Sequence, residues 1–340
     1  MRGAILYAPG DVRFEERADP KILKPTDAVI RTVATCVCGS DLWDYRGINP
    51  VEQPTPFGHE YVGIVEEIGA DVATLQVGQF VVGSFFASDN TCPNCRNGYQ
   101  TNCLHREFVG AEGCQAERIR IPLADGTLVA TPTRPAAEHI ASLLACSDVM
   151  GTGWYAAVAA QVQRGDTVAV VGDGAVGLCA VIAAKEVGAE RVIAMSRHAS
   201  RQELARGFGA TDIVAERGEE GAARIKELTG GIGADRVLEC VGNSESMRQA
   251  LHSTRPGGNI GFVGVPHDVG IDGQELFFSH VALRGGPAPV REFLPDLIDM
   301  VLSGRIDPGR VFDLELPLAE VAEGYKAMDE RRAIKTLLRP

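Results

Sequence analysis

The sequence lacks long apolar runs, an excess of basic residues, and repeated or low-complexity segments. Its longest uncharged apolar run, 175–184, falls well short of the roughly 20 residues that a membrane-spanning helix needs. The short apolar stretch at the N-terminus does not have the pattern of a signal peptide. We therefore expect no membrane-spanning helix, no signal peptide and a cytoplasmic location.

Basic residues are outnumbered by acidic ones, with 33 Lys and Arg against 45 Asp and Glu and a formal net charge of -12. Because an acidic protein repels polyphosphate and anionic lipid at long range, binding of nucleic acid or of a membrane surface is excluded as a main function. The 45% hydrophobic and 23% charged residues are typical of a folded globular protein and exclude disordered and fibrous classes. A small molecule is therefore the expected partner.

The local pattern divides the chain into segments. Residues 1–150 contain short β-branched runs broken by Gly and Pro, which predicts a mainly β domain with long loops. Over 151–286, strands alternate with Gly turns and Ala-rich helices, a pattern that predicts a parallel sheet with crossover helices. We expect 287–340 to return to the first domain. The predicted fold class is α/β, with a doubly wound parallel sheet domain beside a mainly β domain.

A Gly-rich turn in the second segment predicts a dinucleotide site. Gly172, Gly174 and Gly177 form G-x-G-x-x-G after an apolar strand, and a helix that begins with Ala175 and Val176 follows. Such glycines allow a tight turn, close approach to a pyrophosphate and close packing of the helix on the strand. A purely structural glycine turn is the alternative. The context favours a Rossmann-type domain.

The next strand, 191–195, ends in residues that bear on the choice of cofactor. NAD-binding proteins have an acidic residue at this point, where this chain has Ser196 and Arg197, with Arg201 one helical turn on. We expect no carboxylate here to repel a 2′-phosphate, and guanidinium groups can pair with that phosphate. The pattern favours NADP, with NAD as the alternative cofactor. In the other interpretation, both arginines are solvated charges at the start of a helix.

Nine cysteines, several of them clustered, favour metal ligation or catalysis over disulfides. Cys38 and His59 each offer a good zinc ligand, although either residue alone is more often part of a core. A catalytic zinc needs three protein ligands and an open position. The segment before the nucleotide-binding unit offers Asp148 as the third.

The motifs around these residues resemble those of the zinc-containing medium-chain alcohol dehydrogenases. Gly58-His59-Glu60, followed by Gly63, Gly69 and Val72, is similar to the family's zinc signature. Cys38-x-Ser40-Asp41 resembles the loop that supplies the family's first zinc ligand. The resemblance extends over the whole chain, and it implies a GroES-like catalytic domain besides the Rossmann-type domain.

The resemblance implies a role for each residue of the motifs. Cys38, His59 and Asp148 would hold the catalytic zinc, since the family uses Cys, Asp or Glu at the third position; Cys146 lies two residues out of register and is expected to be a buried bystander. Glu60 would be the acid beside the zinc, and Asp41 would orient the zinc-bound imidazole. Ser40 resembles the hydroxyl that accepts the alcohol proton.

A second cluster resembles the family's structural zinc lobe. It consists of Asp89, Cys92, Cys95 and Cys103, in which aspartate replaces the usual first cysteine. Aspartate is a legitimate zinc ligand. A metal-free lobe and a C-x-x-C redox pair are the alternatives, but Cys92-Pro93-Asn94-Cys95 does not open a helix in a thioredoxin-like unit.

The implied activity is the interconversion of an alcohol and an aldehyde or ketone, with hydride transfer to or from the nicotinamide. Many relatives continue the proton relay to a histidine at the position of Trp43, so the proton exit stays open. Trp43, Phe85 and Val265 match pocket positions and favour a hydrophobic substrate, unless they are simply core residues. Further cofactor contacts are expected from Val241, Val263, Val265 and, at the pyrophosphate, Lys335.

Two other functions compete with this interpretation. A zinc-independent quinone or enoyl reductase has the same fold but lacks the Cys, His and acid ligands. A nucleotide-binding protein without catalysis is the other alternative. We also expect a homo-oligomer, either a homodimer or a homotetramer.

Overall fold

The computed structural model describes all residues from Met1 to Pro340. The chain folds into two compact units, which we call the split unit, Met1–Asp148 with Pro289–Pro340, and the inserted unit, Val149–Ala288. The boundaries expected from the sequence lie at 150 and 286. The last part of the chain thus belongs to the same unit as the first.

The first part of the split unit is rich in strands. Its elements are β1 (Arg2–Ala8), β2 (Asp11–Glu16), β3 (Ala28–Cys36), α1 (Asp41–Tyr45), β4 (Thr55–Pro56), β5 (Tyr61–Ile68), β6 (Phe80–Gly83), β7 (Phe86–Ala87), α2 (Pro93–Arg96), β8 (Glu107–Phe108), β9 (Arg118–Ile121), α3 (Ala124–Thr127), β10 (Leu128–Ala130) and α4 (Ile140–Cys146).

The inserted unit alternates strands and helices, and the C-terminal segment then completes the split unit. The elements of the inserted unit are α5 (Val149–Ala159), β11 (Thr167–Val171), α6 (Ala175–Val187), β12 (Arg191–Met195), α7 (Ala199–Phe208), β13 (Asp212–Val214), α8 (Gly218–Leu228), β14 (Ala234–Glu239), α9 (Ser244–Ser253), β15 (Thr254–Phe262), α10 (Gly273–Ser279) and β16 (Ala282–Gly285). Those of the C-terminal segment are α11 (Val290–Leu302), β17 (Leu314–Pro317), α12 (Val321–Asp329) and β18 (Thr336–Arg339).

The main sheet of the split unit joins both ends of the chain. Its strand order is β10-β6-β5-β3-β18-β17, and β9 also pairs with β3. Strand β18 runs antiparallel to β3, with Leu337 opposite Cys36. Apolar side chains such as Ile30, Val65 and Val81 are buried in one core of this unit. The pairing of β18 with β3 brings the C-terminal segment next to the loop that follows Cys36.

The inserted unit is a doubly wound parallel sheet. Its strand order is β13-β12-β11-β14-β15-β16, and every pair is parallel. Buried apolar residues of β11, such as Ala169 and Val171, lie in its core. Order reverses between β11 and β14, and in such sheets nucleotides bind beyond the carboxyl ends of the strands at this point. The predicted α/β fold class with a Rossmann-type sheet is confirmed.

The helices are short throughout the chain. The longest, α6 and α11, have 13 residues each. No helix has both the length and the apolar character required to cross a membrane. The cytoplasmic location stays a prediction.

Candidate functional site

The first candidate site lies in the split unit, where loops and element ends bring four ligand-type side chains together. Cys38 follows β3, His59 and Glu60 precede β5, and Asp148 follows α4. Asp148 Oδ2 lies 3.5 Å from Cys38 Sγ and 3.3 Å from His59 Nε2. One donor atom from each of the four residues lies within 4.8 Å of all the others, and all four residues are buried. Cys38 and Asp148 are 110 positions apart in the chain. The fold therefore brings these ligands together.

The spacing and the charge of this cluster fit a zinc ion. Donor atoms about 2.0–2.3 Å from a tetrahedral zinc lie about 3.3–3.8 Å from one another, which agrees with the observed distances. Glu60 is 0% exposed, and its Oε2 has no hydrogen-bond partner. Because buried carboxylates are unfavourable unless a cation or a donor satisfies them, a divalent ion would complete the cluster.

Burial and neighbouring charges shift the pKa values of the candidate ligands. Burial raises the pKa of the Cys38 thiol and the pKa of the Glu60 carboxyl above their ordinary values. Burial alone would lower the pKa of His59, but the charges of Asp41 and Cys38 outweigh it and hold this pKa well above its ordinary value. Metal ligands bind in the deprotonated form, so metal binding at this cluster should weaken as pH falls.

The imidazole of His59 is held from behind by a buried network. Asp41 Oδ1 lies 3.1 Å from His59 Nδ1, and its Oδ2 accepts hydrogen bonds from the Cys38 N–H at 3.0 Å and from the Tyr325 hydroxyl at 3.2 Å. Tyr325 is fully buried in α12 and also accepts a hydrogen bond from the Gln115 amide at 2.8 Å. The structure thus places Asp41 where the resemblance implies. Tyr325 and Gln115 were missed, because nothing in the local sequence links them to His59.

Lys335 is also part of this cluster. Its Nζ lies 2.6 Å from Glu60 Oε1 and 3.2 Å from the carbonyl oxygen of Val37, and both charged side chains are 1% exposed. The pairing of β18 with β3 puts Lys335 at this position. In this structure the ammonium of Lys335 forms an ion pair with Glu60. Its contact with the cofactor pyrophosphate stays a prediction.

Aromatic side chains flank the imidazole of His59. The ring of Phe85 lies 6.1 Å from it and that of Phe108 5.9 Å from it, measured between centroids. Phe108 is 44% exposed, and no motif in the sequence indicates it. Trp43 is half-buried in α1. Ser40 precedes α1, and its hydroxyl makes no capping hydrogen bond to that helix.

The second cluster also has the spacing of a metal site. Cys95 Sγ lies 3.5 Å from Cys92 Sγ and 3.4 Å from Asp89 Oδ1, and Cys92 Sγ lies 3.9 Å from Cys103 Sγ. Sulfur atoms bound to one tetrahedral zinc are about 3.8 Å apart. All four donor atoms lie within 4.8 Å of one another. Cys92 precedes α2, a helix of only four residues, Pro93–Arg96.

Hydrogen bonds and burial shift the pKa values of the candidate ligands in this lobe. Backbone N–H groups of Cys95 and Leu104 lower the pKa of the Cys92 thiol to about 7, whereas burial raises the pKa of Cys95 and Cys103. Asp89 Oδ2 lies 2.6 Å from His105 Nδ1, a contact that the local sequence does not indicate. Burial would raise the pKa of Asp89, but hydrogen bonds from Thr91 and His105 outweigh it and lower this pKa. The lobe therefore offers an ionised carboxylate to a cation.

In the inserted unit, the Gly-rich turn joins β11 to α6. A Cβ on Gly177 would lie 2.1 Å from the carbonyl oxygen of Gly172, so glycine is required there for the close packing of the turn. A Cβ on Gly174 would meet nothing within 4 Å. Ala175 and Val176 then begin α6, whose N-terminal end has no side-chain cap. The open space at Gly174 and the uncapped N–H groups fit a pyrophosphate.

The end of β12 corrects one expectation from the sequence. Ser196 is buried, and its Oγ donates a hydrogen bond to Asp173 Oδ2 at 2.8 Å; Arg201 Nη1 lies 3.3 Å from Asp173 Oδ1. The expectation that no carboxylate lies here is therefore wrong. Asp173 comes from the Gly-rich turn of the neighbouring strand, which local sequence does not reveal. Arg217, also missed, lies 4.0 Å from the same carboxylate, and Arg197 is exposed.

The remaining predicted cofactor residues also lie in the inserted unit. Val241 follows β14, and Val263 and Val265 follow β15. Val241 and Val265 are 41% and 54% exposed, and Val263 is half-buried. These segments lie beyond the carboxyl ends of the strands, where cofactors bind in this fold. Their contacts with a cofactor stay predictions, as do the pocket roles of Trp43, Phe85 and Val265.

Comparisons with known proteins agree for both units. Residues 24–133 match the family described as alcohol dehydrogenase GroES-like domain, and residues 175–303 match zinc-binding dehydrogenase. Zinc-type alcohol dehydrogenase B of Aspergillus flavus is 34% identical over 351 aligned positions, which cover 100% of this chain and 81% of that protein.

Two solved structures are similar over the whole chain. Alcohol dehydrogenase TADH from Thermus sp. ATN1 superimposes with a TM-score of 0.90 and 32% identity, and the match covers 100% of this chain and 99% of that one. A zinc-binding dehydrogenase of Sinorhizobium meliloti, solved with NADP bound, has a TM-score of 0.82 and 25% identity, with 100% and 99% covered.

Proposed function

We propose, from the premise that this chain belongs to the zinc-containing medium-chain alcohol dehydrogenase family, that it interconverts a hydrophobic alcohol and its aldehyde or ketone with NADP(H). In the oxidative direction the alcohol loses a hydride to NADP and a proton to solvent, which gives the carbonyl compound, NADPH and a proton. The observation that carries the proposal is the convergence of Cys38, His59 and Asp148 at distances that fit zinc.

Cys38, His59 and Asp148 would hold the catalytic zinc. The metal supplies a Lewis acid for the substrate oxygen, and the nicotinamide accepts or donates the hydride. Asp41 lies at His59 Nδ1, so Nε2 is left to face the Asp148 carboxylate. Glu60 adds a second carboxylate with one oxygen held by Lys335 and one without a partner.

Ser40 is the residue that we propose to accept the alcohol proton. It lies two residues after Cys38, and its hydroxyl is not used to cap α1. Because Trp43 has no group that can relay a proton, water or another base carries the proton onward. A solvent isotope effect on the oxidation rate that is reduced in Ser40→Ala would support the relay, and an unaltered effect would reject it.

The aromatic side chains near His59 support a hydrophobic substrate. Phe85 and Phe108 approach the imidazole, and Phe86 packs against Phe108 with 5.4 Å between ring centroids. Aromatic rings that are not fully buried and lie beside a candidate metal site favour apolar or aromatic groups in a ligand. We expect Phe108→Ala to raise KM for a benzylic alcohol more than for ethanol. An equal change in KM for both substrates would contradict a role of Phe108 in substrate binding.

Ser196, Arg197 and Arg201 support NADP as the cofactor. The guanidinium groups can pair with a 2′-phosphate, and Arg217 adds a third cation near the same place. NAD remains the alternative, because Asp173 also lies there. Parallel measurement of kcat/KM with NADP and NAD tests the preference.

Asp89, Cys92, Cys95 and Cys103 would hold a second, structural zinc. The four donor atoms lie within 4.8 Å of one another, and four protein ligands are typical of structural zinc sites. The complete ligand sets of both clusters are the observation against a zinc-independent quinone or enoyl reductase. Turnover of any alcohol would exclude a non-catalytic nucleotide-binding protein.

A homodimer or homotetramer is the assembly that we propose. Strand β16 forms an edge of the parallel sheet, and the nearby Phe277 and Phe278 on α10 are 74% and 69% exposed. Exposed edges and apolar patches favour association. Light scattering coupled to size-exclusion chromatography tests this assembly, and a monomer at micromolar concentration would contradict it.

A further inference from the structure

The carboxylate of Asp173, in the turn after β11, lies beside the residues that follow β12. Its Oδ2 accepts a hydrogen bond from the Ser196 hydroxyl at 2.8 Å, and its Oδ1 lies 3.3 Å from Arg201 Nη1. Arg217 Nη2 approaches the same Oδ1 at 4.0 Å. Asp173 is 7% exposed, so its charge is poorly screened by solvent.

This carboxylate and a 2′-phosphate would compete for the same cations. A phosphate near Ser196 and Arg201 would add a second anion to guanidinium groups that Asp173 already pairs. Like charges placed together lower affinity, whereas a ribose 2′-hydroxyl can donate a hydrogen bond to a carboxylate. Asp173 therefore acts against NADP and in favour of NAD, in the opposite direction to the arginines.

We propose that Asp173 is a specificity-determining residue for the cofactor, which pairs with Arg201 and Arg217 and limits the preference for NADP over NAD. The inference rests on the proposed nucleotide site at Ser196 and Arg201. It assigns to the second position of the Gly-rich turn a role that the spacing of the glycines does not indicate. Removal of the Asp173 charge should release the arginines for a 2′-phosphate.

The structure shows how the charge can be removed with little other change. Asparagine has the same shape as aspartate, and its amide oxygen can still accept the Ser196 hydroxyl. Arg201 Nη1 also lies 3.2 Å from the backbone carbonyl oxygen of Asp173, a contact that does not depend on the side chain. In Asp173→Asn the amide NH2 group would take the place of Oδ1, so Arg201 loses its side-chain acceptor and its counter-ion and keeps the contact with the backbone carbonyl oxygen.

The test is titration calorimetry of the intact protein with two probes, adenosine 2′,5′-bisphosphate and AMP. These probes differ only in the 2′-phosphate, and their binding is measured without any turnover. We expect Asp173→Asn to raise the ratio of the two affinities, bisphosphate over AMP, by about ten-fold. The control Glu203→Gln removes one exposed negative charge from α7, the helix that carries Arg201, and should leave the ratio nearly unchanged.

A ratio that is the same in Asp173→Asn and in the unaltered protein would overturn the proposal. Asp173→Ser, which also removes the charge, replaces Asp173→Asn if thermal melting shows that the latter does not fold. Arg201→Ala separates this proposal from the one on which it rests. If Arg201→Ala weakens bisphosphate binding but Asp173→Asn leaves the ratio unchanged, only the role of Asp173 fails. If neither substitution alters bisphosphate binding, the proposed 2′-phosphate site fails as well.

Discussion

The ammonium of Lys335 lies 2.6 Å from the carboxylate of Glu60, and both side chains are 1% exposed. This pair links the end of the chain to the residue that follows the candidate ligand His59. A buried charge of this kind is tolerated only with its partner. The C-terminal segment therefore does more than complete the sheet, since it supplies the cation that balances one carboxylate of the metal cluster.

Lys335→Met should destabilise the protein, because it removes the ammonium that pairs with Oε1 of the buried Glu60 carboxylate. Breaking one side of a buried pair costs about 3–5 kcal/mol in the free energy of unfolding. The double variant with Glu60→Gln should recover a large part of this loss. Urea unfolding of the single and double variants measures the loss in free energy of unfolding and its recovery. Lys326→Met, which alters an exposed lysine of α12, is the control. Equal losses in the Lys335 and Lys326 variants would contradict the pairing.

Tyr325→Phe should weaken metal retention at the first cluster. The substitution removes only the hydroxyl that donates to Asp41 Oδ2, and Asp41 in turn orients His59. Loss of a group bonded directly to a ligand lowers metal affinity by about 10- to 100-fold, and we expect a smaller loss here, because Tyr325 acts through Asp41. The rate of zinc release to a coloured chelator measures this effect.

The matched control for Tyr325 is Tyr7→Phe, which also removes a hydroxyl bonded to a carboxylate, that of Glu15. This pair is distant from both metal clusters in sequence and is partly exposed. Zinc release at the same rate in Tyr325→Phe and Tyr7→Phe would show that Tyr325 does not support the ligand network.

Much of the site could be predicted because its signals are local. The Gly-rich turn follows directly from the spacing of three glycines, and Cys38, His59 and Asp148 could be named because their motifs resemble those of the family. The doubly wound sheet could be predicted from the alternation of apolar strands and Ala-rich helices, because that alternation has one common solution. These features need no knowledge of distant contacts.

The parts that were missed depend on tertiary packing. Lys335 reaches Glu60 because β18 pairs with β3, and Asp173 reaches Ser196 because β11 and β12 are neighbours in the sheet. Tyr325 contacts Asp41 across 284 positions in the chain. No periodicity or motif records such contacts, so a single sequence could not reveal that an acid lies beside Ser196.

Asp89→Ala should release zinc from the second cluster and lower thermal stability more than catalysis. The substitution removes one of four donor atoms that lie at tetrahedral spacing, while the first cluster keeps all its ligands. Asp89→Cys is the matched variant, because it restores a fourth donor and should retain the metal. Zinc content by atomic emission and the melting temperature measure these effects. Unchanged zinc content together with unchanged stability in Asp89→Ala would reject a metal in this lobe.

His252 should make the stability of the inserted unit depend on pH. Its Nδ1 lies 2.7 Å from Glu219, and its Nε2 contacts Glu275. Burial would lower the pKa of His252, but hydrogen bonds to Glu275 and Glu219 outweigh it and raise this pKa above the ordinary 6.5. A raised pKa in the folded state gives stability that is fully present below the unfolded value and is lost as pH rises through the folded value.

His252→Asn should therefore destabilise the protein by about 1 kcal/mol at about pH 5.5, and by much less at about pH 9. Melting temperatures of both proteins across this range measure the difference. His280→Asn, which alters an exposed histidine of the same unit, serves as the control. A difference between His252→Asn and the unaltered protein that stays constant with pH would contradict the bridging role of His252.

The central claim, zinc-dependent oxidation of a hydrophobic alcohol with NADP, is tested most directly by initial rates of nicotinamide reduction. The panel contains short aliphatic, benzylic, allylic and polyol alcohols, with NADP and NAD supplied in parallel to protein that has been shown to hold zinc. We predict a clear NADP-dependent rate with aliphatic or benzylic alcohols. Removal of a residue that supports a ligand lowers activity by about 10- to 100-fold, and Asp148→Ala, which removes a ligand, should lower this rate by more. No rate with any alcohol and either cofactor would contradict the account.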